Sequence, residues 1–393
     1  MKYKRALNID LPTKQSAFLW GARKTGKSTF LKEHFSEGIF YDLLKSEIFL
    51  RYLQEPHRFR EEILALPAAQ KETTIIIDEI QKIPELLDEV HWLIENTDHA
   101  FVLCGSSPRK LKKLSNVNLL GGRAWKYHFF PLTYGEIGAE NFDLLKALDH
   151  GTIPSHYDSS NIKKSLQAYV EDYLILEIQA EGIVRNLAPF ARFLYAASFS
   201  NAECLNYNKV ASDSSIDAKT VKEYYQILID TLLGYYVFPY KKSPKRDIIS
   251  QTPKFYFFDT GIANALSKKK LMALQGAEAG NSLETYVLHE LMAYKYLNDL
   301  DFDIHYWRTK TGFEVDFVLG DARVALEVKI SSRIRREDLK GLEAFTHEYT
   351  PDLSLVISTE AQPRKLLLEN GKEILILPVE DFLNRLWAGE IWS

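Results

Sequence analysis

Residues early in the chain combine glycines, a lysine and a hydroxyl group at a spacing that suits the binding of phosphates. The stretch "GARKTGKSTF" contains Gly21, four intervening residues, and then Gly26, Lys27 and Ser28. It lies between the apolar run "SAFLW" and the unbroken segment "KSTFLKEHF", which indicates a turn from a strand into a helix. Backbone N–H groups at such a turn, together with the helix N-terminus, can surround phosphate oxygens. The pattern therefore predicts a phosphate-binding loop.

The residues of this loop have separate chemical tasks. Gly21 and Gly26 permit backbone angles and a close approach that a Cβ would prevent. Lys27 is expected to reach the β- and γ-phosphates of ATP, and the Ser28 hydroxyl is expected to coordinate Mg²⁺. The predicted nucleotide-contacting residues are Gly21, Ala22, Arg23, Lys24, Thr25, Gly26, Lys27, Ser28 and Thr29.

A second motif follows the β-branched run from Thr73 to Ile77, which is typical of a central parallel strand buried on both faces. The run ends in Asp78 and Glu79. At the C-terminal end of such a strand, Asp78 is expected to hold the metal, and Glu79 to orient or activate the attacking water. Taken alone, such an acidic pair is more often a helix N-cap than a catalytic pair. Together with the glycine-rich loop, it predicts nucleotide hydrolysis.

Two further positions are candidates for contact with the nucleotide. The apolar run in "HAFVLCGSSPRKLKK" ends at Ser106 and Ser107, either of which could contact the γ-phosphate or the water, or cap the next helix. Arg123 precedes another strand candidate and is the first choice for an arginine finger that acts on the nucleotide of a neighbouring subunit. Arg109 and Arg185 are alternatives, and a structural salt bridge is the competing role for each arginine.

The glycine-rich loop, "IIIDE", "GSS" and the later run "GGR...FFPLTYGE" together resemble the AAA+ ATPases, in particular a prokaryotic family with an uncharacterised C-terminal domain. The resemblance extends over most of the chain. It implies a P-loop core whose parallel sheet has the strand order 5-1-4-3-2, followed by a helical lid. It also implies ATP and Mg²⁺ as ligands and frequent assembly into rings or other oligomers.

The middle of the chain has the pattern of helices followed by a strand. The short helical segment "NYNKVASD", a turn near Ser214 to Ile216 and a longer helix precede the strand candidate "GYYVFPY". Apolar residues of the longer helix define one buried face: Val221, Tyr225, Leu228 and Leu232. This order of helix, turn, helix and β-wing is the winged-helix pattern, in which the second helix can enter the major groove of DNA.

Basic residues around this segment are candidates for contact with DNA. Lys219, Thr220 and Lys222 lie on the second helix, and further basic residues follow the wing: Lys241, Lys242, Lys245 and Arg246. Winged helices also serve as packing modules, and a lysine-rich loop can simply be solvated. DNA is therefore the predicted partner, with these alternatives open.

Two strand candidates towards the C-terminal end carry charged residues on one face. Asp316 in "FEVDFVL", and Glu327 and Lys329 in "VALEVKI", alternate with apolar residues, and a "GD" turn signal separates the two runs. A hairpin would bring these three side chains together. Asp316 and Glu327 would then hold Mg²⁺, and Lys329 would stabilise charge or position a water. A hairpin with one wet face and a cross-strand ion pair is the alternative.

The order of Asp316, Glu327 and Lys329 resembles the PD-(D/E)XK nuclease superfamily. Glu284 in "GNSLETYVLHELMAY" matches the glutamate that this fold often adds from a preceding helix. The resemblance implies a restriction-endonuclease-like α/β fold and places Glu284 in the catalytic set. The proline of the motif is absent before Asp316, and some members of the superfamily keep the fold but lose the chemistry. Nuclease activity is therefore left open.

Composition limits the classes of protein that these motifs can belong to. A chain of 393 residues predicts two to four domains, and 46% hydrophobic with 26% charged residues is typical of a globular protein. The formal net charge of −4 excludes a polycation that coats nucleic acid. The two cysteines, Cys104 and Cys204, encode neither a disulfide framework nor a zinc site. We find no signal peptide and no membrane-spanning run, so a cytoplasmic location without membrane contact is predicted.

The predicted fold class is α/β. A P-loop AAA+ core with a parallel sheet is expected over residues 1–135, a helical lid over 136–185, a winged-helix domain over 186–248 and a PD-(D/E)XK nuclease-like domain over 249–393. The predicted function is Mg²⁺-dependent ATP hydrolysis between subunits of a homo-oligomer, coupled to a C-terminal module that acts on DNA. Two alternatives remain: an ATP-gated switch that binds protein partners and has an inactive nuclease-like fold, and a nucleotide-binding regulator whose C-terminal fold is only structural.

Overall fold

The computed structural model describes residues 3–70, 72–109, 111, 120–171, 178, 184, 186–241, 252–368 and 371–392. The chain divides into two compact units. Unit 1 comprises residues 1–132 with 230–232, and unit 2 comprises residues 133–229 with 233–393. The predicted division of the chain into four domains stays a prediction.

Unit 1 is built around a five-stranded sheet. Its strands are β1 (Ser16–Trp20), β2 (Ile39–Asp42), β3 (Ile75–Asp78), β4 (Phe101–Gly105) and β5 (Ala124–His128). Its helices are α1 (Lys27–His34), α2 (Ser46–Gln54), α3 (His57–Leu64) and α4 (Leu86–Asn96). The strand order is β2-β3-β4-β1-β5, and every pair is parallel. This topology confirms the predicted parallel sheet and its order 5-1-4-3-2.

The central strands of this sheet are covered on both faces. Ile75, Ile76 and Ile77 of β3 have no exposed surface, and every residue of β1 and β4 is buried. Burial of consecutive residues is expected for a parallel strand between two layers of helices, and it explains why the sequence shows an apolar run and not an alternating pattern. Because the strands are parallel, β1, β3 and β4 all end at the same edge of the sheet.

Unit 2 begins with short helices. These are α5 (Tyr134–Ile137), α6 (Leu144–His150), α7 (Pro154–Tyr157) and α8 (Ile162–Ala168). Helix α5 crosses the predicted boundary between core and lid at residues 135 and 136, and the other three lie in the predicted lid segment. Residues 172–177, 179–183 and 185 of that segment lie outside the described residues. The chain continues with α9 (Leu187–Ser198), β6 (Glu203–Cys204), α10 (Tyr207–Ser214), α11 (Ala218–Asp230), β7 (Gly234–Pro239) and β8 (Lys254–Phe257).

The buried face predicted for α11 is present over most of its length. Val221, Tyr225 and Leu228 have no exposed surface. The prediction was wrong at the C-terminal end, because the helix stops at Asp230 and Leu232 has a φ of 60°. A positive φ at a leucine interrupts helical geometry, and it cannot be deduced from apolar spacing.

The last part of unit 2 alternates strands and helices. Its elements are α12 (Thr260–Ser267), α13 (Gly276–Leu297), β9 (Ile304–Arg308), β10 (Glu314–Leu319), β11 (Val324–Lys329), α14 (Lys340–Glu348), β12 (Leu353–Ser358), β13 (Arg364–Leu367), β14 (Glu373–Pro378) and α15 (Val379–Trp387). Strands β9, β10 and β11 pair antiparallel, while β12 pairs parallel with both β11 and β14.

The nine strands found in the described residues of unit 2 belong to one sheet, in the order β13-β14-β12-β11-β10-β9-β7-β8-β6. Strands β7, β8 and β6 pair antiparallel, and β7 also pairs parallel with β9. The sheet therefore continues from the segment predicted as a winged helix into the segment predicted as nuclease-like.

Helix α13, with 22 residues, is the longest helix of the described chain. It carries the ionisable residues Glu284 and Glu290 among its buried apolar positions. Within the described ranges, no helix is both long enough and apolar enough to cross a bilayer.

Candidate functional site

The glycine-rich loop connects β1 to α1 in unit 1, as its sequence context predicts. Gly26 has a φ of 101°, a backbone conformation that favours glycine. A Cβ on Gly21 would lie 2.2 Å from the carbonyl oxygen of Phe129, so only glycine fits there. The Thr25 hydroxyl closes the loop by donating to the carbonyl oxygen of Ala22 at 2.7 Å.

The ammonium group of Lys27 lies inside this loop. Its Nζ donates to the carbonyl oxygens of Gly21 at 2.8 Å and of Ala22 at 3.0 Å, and the side chain is buried. Arg5 supports the loop from outside, because its Nη1 donates to the carbonyl oxygen of Thr25 at 2.7 Å. Arg5 is not among the residues predicted from the sequence, because nothing in its local sequence links it to a loop that begins at Gly21.

The loop, Asp78, Glu79 and Ser106 meet at one edge of the sheet. Asp78 ends β3 and Ser106 follows β4, and β4 lies between β3 and β1. Within the described residues, Asp78 Oδ1 is buried without a hydrogen-bond partner. An orphaned carboxylate oxygen together with the half-buried hydroxyl residue Ser28 supplies oxygen ligands of the kind that Mg²⁺ prefers. These residues therefore fit the metal that the nucleotide would bring.

Glu79 is held by polar neighbours. Gln81 Nε2 donates to Glu79 Oε2 and, at 3.0 Å, to the Ser106 hydroxyl oxygen. Arg23 Nε donates to the same hydroxyl at 3.2 Å, and Arg23 Nη2 lies 3.5 Å from Glu79 Oε2. Glu79 also has a φ of 61°, which is uncommon for a residue other than glycine. Gln81 was missed by the sequence analysis, although it stands only two residues after the acidic pair.

The arginine-finger candidates differ in position. Arg123 precedes β5 and therefore lies at the edge of the sheet opposite to the loop; a five-residue strand spans about 16 Å. It is exposed, and its Nη2 lies 2.5 Å from Glu95 Oε1. Arg109 is paired with Asp230 at 2.6 Å, and Arg185 lies outside the described residues. Arg123 thus cannot reach the nucleotide of its own unit, and its role stays a prediction.

In unit 2, β10 and β11 form the predicted hairpin. Phe317 lies opposite Leu326, so Asp316 and Glu327 point to the other face of the pair. Asp316 is 7% exposed and Glu327 is 5% exposed. The alternative of a hairpin with one wet face is therefore wrong. Helix α13 packs against β11 and carries Glu284.

The predicted carboxylate residues already have partners within the fold. Lys329 Nζ lies 2.5 Å from Glu327 Oε1. The backbone N–H of Val328 donates to Asp316 Oδ2 at 2.9 Å. Glu327 Oε2 is buried without a hydrogen-bond partner among the residues that the structure describes.

A lysine that the sequence analysis missed lies among these carboxylates. Lys254 Nζ is 2.8 Å from Glu284 Oε1, 2.5 Å from Glu314 Oε1 and 3.3 Å from Asp316 Oδ1, and the residue is 3% exposed. The Tyr256 hydroxyl also donates to Glu284 Oε1, at 2.5 Å. The only available signal was a lysine at the start of the apolar run "KFYFF", and nothing in the sequence predicts which strands become its neighbours.

Burial dominates the proton affinities of this cluster. It raises the pKa of Glu284 to about 7, with the charge of Asp316 adding to the effect. Burial and then the charge of Asp316 also raise the pKa of Glu327 well above its ordinary value. For Lys254, burial is the largest single influence and would lower the pKa, but the negative groups around it, Glu284 first among them, together outweigh burial and the pKa is raised. The cluster therefore favours a charged lysine and raises the proton affinity of Glu284 and Glu327.

Across the described part of the chain, no group of three or more histidine, cysteine, aspartate or glutamate side chains has the spacing of a metal site. Glu284, Asp316 and Glu327 lie in one buried region, but they do not form such a group. Their predicted catalytic and metal-binding roles stay predictions.

The predicted DNA-facing residues are only partly available for contact. Lys219 and Lys222 are exposed on the first turns of α11, and Lys241 is exposed after β7. Thr220 instead takes part in the start of the helix, because its hydroxyl donates to Asp217 Oδ2 at 2.6 Å. Three residues predicted to follow the wing lie outside the described residues: Lys242, Lys245 and Arg246.

An open groove of about 860 Å³ lies near the end of β7 and the start of α10. Lys241, Arg308 and Lys310 are its basic lining residues, and Asn206 and Tyr207 line it as well. Such a surface, with positive charge next to polar and aromatic side chains, suits a phosphate backbone better than a small apolar ligand.

Three family models match consecutive parts of the chain. Residues 13–138 match the family described as "AAA domain". Residues 141–273 match a "Domain of unknown function (DUF8612)", and residues 279–380 match a "Domain of unknown function (DUF4143)". No curated protein matches the chain. The parallel sheet, the loop and the first of these matches support a P-loop domain of the AAA+ type in unit 1.

Solved structures show only weak similarity. The Orc1 protein of Aeropyrum pernix, solved in complex with DNA, is 12% identical over 65% of this chain and 86% of its own, with a TM-score of 0.25. DnaA from Aquifex aeolicus, bound to AMPPCP, is 13% identical over 55% and 81%, with a TM-score of 0.26. A STAND protein with a tetratricopeptide repeat sensor from Pyrococcus horikoshii is 11% identical over 73% and 46%, with a TM-score of 0.21. Similarities of this size carry no conclusion about this chain.

Proposed function

We propose that the protein binds ATP at the loop of unit 1, hydrolyses it with Mg²⁺, and uses the cycle to change the state of unit 2. One observation carries the proposal: the loop, Asp78, Glu79 and Ser106 lie at the same edge of a parallel sheet. That edge is where open α/β sheets bind their ligands. It brings a buried ammonium group together with two carboxylates and a hydroxyl.

The position of each group at this edge supports a particular role in ATP hydrolysis. Lys27 Nζ now contacts two carbonyl oxygens, and phosphate oxygens are stronger partners for it because they carry charge. Asp78 and Ser28 would hold Mg²⁺, which neutralises charge on the phosphates. Glu79 is the candidate to orient the attacking water, while Gln81 and Arg23 fix its carboxylate.

The proposed assembly is a homo-oligomer in which Arg123 acts on the nucleotide of a neighbouring subunit. The exposure of Arg123 and its place at the far edge of the sheet support a role in a neighbour. In this arrangement, ATP and ADP would be sensed at the interface between subunits. Movement of unit 2 would then follow the hydrolysis cycle.

The decisive experiment is the Lys27→Ala substitution. Loss of a preorganised positive charge at the phosphates should lower ATP turnover by about 10²-fold or more. Phosphate release would be measured at saturating ATP and Mg²⁺. Lys32→Ala is the matched control, since Lys32 is exposed on the same helix, and it should keep its activity. Turnover that persists in the Lys27 variant would overturn the proposed site.

DNA is the proposed object of the ATP-driven movement. The exposed lysines of α11 and the basic groove beside β7 support this choice, as does the order of helices and strands from α9 to β8, which we propose to be a winged helix. Labelled duplex DNA would be titrated at low salt and followed by fluorescence anisotropy. Lys219→Ala with Lys222→Ala should weaken binding and reduce the slope of log K against log salt by about 0.9 for each phosphate that is no longer neutralised.

The second candidate is an ATP-gated switch that binds protein partners, with a nuclease-like fold that does not cut. The buried ion pairs of Lys254 favour it, because they already satisfy carboxylates that a nuclease would use for metal. Absence of DNA binding at low salt, with ATP turnover intact, would favour the switch. In the DNA titration, Lys340→Ala is the control for the loss of an exposed lysine elsewhere in unit 2.

A further inference from the structure

The carboxylates of the β10 and β11 hairpin surround a cation that belongs to the chain itself. Lys254 Nζ lies within 3.3 Å of one oxygen each from Glu284, Glu314 and Asp316. These carboxylates come from two elements, α13 and β10, and the lysine comes from a third, β8. The ammonium group thus lies where oxygen atoms from separate elements converge, which is the geometry expected around a bound cation.

The lysine is fixed in this position by its strand. Lys254 begins β8, whose backbone pairs with β7 on one side and with β6 on the other. Its side chain is 3% exposed, so it cannot turn out to solvent without disturbing buried neighbours. A charge that is buried this deeply is stable only when it is paired. The three carboxylates supply that pairing.

The same contacts compete with a divalent metal. Mg²⁺ requires oxygen ligands at 2.0–2.1 Å in near-octahedral geometry. Asp316 Oδ1 faces the ammonium at 3.3 Å, and Asp316 Oδ2 accepts the N–H of Val328. A metal bound to Asp316 Oδ1 would lie within a few ångströms of the ammonium, and the two positive charges would repel each other strongly in a buried site. Glu327 Oε2 has no hydrogen-bond partner among the described residues, but both oxygens of Asp316 are already engaged. The pair Asp316 and Glu327 therefore does not offer a divalent metal two available carboxylates while Lys254 is present.

We propose that Lys254 is the built-in cation of this cluster and takes the place of a metal ion, so that the C-terminal fold binds no divalent metal at Asp316 and Glu327. The proposal goes beyond ATP hydrolysis at unit 1 and is independent of it. It assigns to Lys254 the task of holding β8, α13 and β10 together through charge. According to this proposal, a metal ion can bind at the cluster only after the Lys254 side chain has been removed.

The test compares Mn²⁺ binding by the wild-type chain and by Lys254→Met, in the absence of nucleotide. Free Mn²⁺ would be measured by electron paramagnetic resonance. In the wild type, replacing Asp316 by asparagine should leave the amount of bound Mn²⁺ unchanged. Lys254→Met should gain one site, and the double variant that also carries Asp316→Asn should lose it. The apparent Tm of Lys254→Met should rise on addition of Mn²⁺, whereas that of the wild type should stay constant.

A matched control is available on the surface of the same sheet. Lys365 Nζ lies 3.0 Å from Glu373 Oε2, and both side chains are exposed. Lys365→Met should neither gain a Mn²⁺ site nor respond to Mn²⁺ in Tm. This control separates the loss of any lysine from the loss of a buried cation.

Two results would overturn the proposal. The first is a wild-type protein that binds Mn²⁺ at a site abolished by Asp316→Asn. The second is a folded Lys254→Met protein that gains no site. If Lys254→Met does not fold even with Mn²⁺, the comparison of the wild type with Asp316→Asn decides, because a difference in bound Mn²⁺ between them contradicts the proposal and no difference supports it.

Discussion

Glu79 has a backbone conformation that its side-chain type does not favour, and its carboxylate is bonded on several sides. A residue held in such a conformation costs about 1–3 kcal/mol, and this cost persists only where the surroundings fix it. The side chains of Gln81, Ser106 and Arg23 provide that fixation. At the scale of single residues, the site of unit 1 is thus arranged around the orientation of one carboxylate.

We predict that Glu79→Gln lowers ATP turnover by about 10²- to 10⁴-fold, the usual contribution of a positioned general base. Nucleotide affinity should stay nearly unchanged, because the loop and Lys27 are intact. Turnover would be measured by phosphate release, and affinity by titration with a fluorescent nucleotide. Glu85→Gln is the control, since Glu85 is exposed shortly after the motif. A variant that keeps wild-type turnover would exclude Glu79 from the reaction.

At the scale of elements, helices α13 and α15 are joined by a buried carboxyl group. Glu290 Oε1 accepts the backbone N–H of Tyr134 at 2.8 Å, and Glu290 Oε2 accepts Trp387 Nε1–H at 2.8 Å. Burial raises the pKa of Glu290 from 4.5 to about 7, although these hydrogen bonds act in the opposite direction. The folded protein therefore prefers the protonated form of Glu290 in slightly acidic solution.

This shift predicts a dependence of stability on pH. Because the folded pKa is raised, the contribution of Glu290 is fully present below pH 4.5 and is lost as the pH rises through about 7. A shift of this size corresponds to roughly 3 kcal/mol in the free energy of unfolding. Glu290→Gln should be less stable overall, since its amide cannot accept from both donors, but its stability should change less between these pH values.

Denaturant unfolding at a series of pH values would test the prediction. The quantity to compare is the difference in unfolding free energy between pH 4.5 and pH 7.5 for the wild type and for Glu290→Gln. Glu390→Gln is the control for an exposed glutamate, and it should keep the wild-type dependence. If the difference in unfolding free energy between the two pH values is the same in the wild type and in Glu290→Gln, a raised pKa for Glu290 is contradicted.

The sequence predicted elements best where a local pattern determined them. The run Ile75 to Ile77 and the alternation around Asp316 predicted strands that the structure contains, and the loop at Gly21 predicted a turn between a strand and a helix. Lys254 and Gln81 were missed because their roles depend on neighbours that are distant in sequence or on the exact path of a turn. Pairing between strands fixes such neighbours, and a single sequence does not show which strands pair.

At the scale of the whole molecule, the proposed finger role of Arg123 would make ATP hydrolysis depend on assembly. Arg123 lies at the edge of the sheet opposite to the loop, so a catalytic role requires a second copy of the chain. We predict that Arg123→Ala lowers turnover by about 10³-fold or more, within the range for an arginine finger. Loss of its exposed ion pair with Glu95 should cost about 1 kcal/mol at most, so the variant should fold normally.

A mixing experiment distinguishes this role from a local defect. Arg123→Ala and Lys27→Ala proteins are each expected to be inactive, but mixed oligomers pair an intact loop with an intact Arg123 and should regain part of the activity. Turnover would be measured after mixing at increasing protein concentration. Lys126→Ala, an exposed substitution on β5, is the control and should be active alone. Full activity of Arg123→Ala by itself would exclude the finger.

The continuous sheet of unit 2 has a consequence for how this protein can be divided. Strand β9 is an inner strand because β7 pairs with it through Phe238 opposite His305 and Pro239 opposite Tyr306. A chain shortened to begin at residue 249 would lose β7 and leave β9 with unpaired backbone groups along one side. Exposed strands of this kind associate with other chains. The C-terminal segment is therefore expected to self-associate when it is separated from β7, whatever its own chemistry.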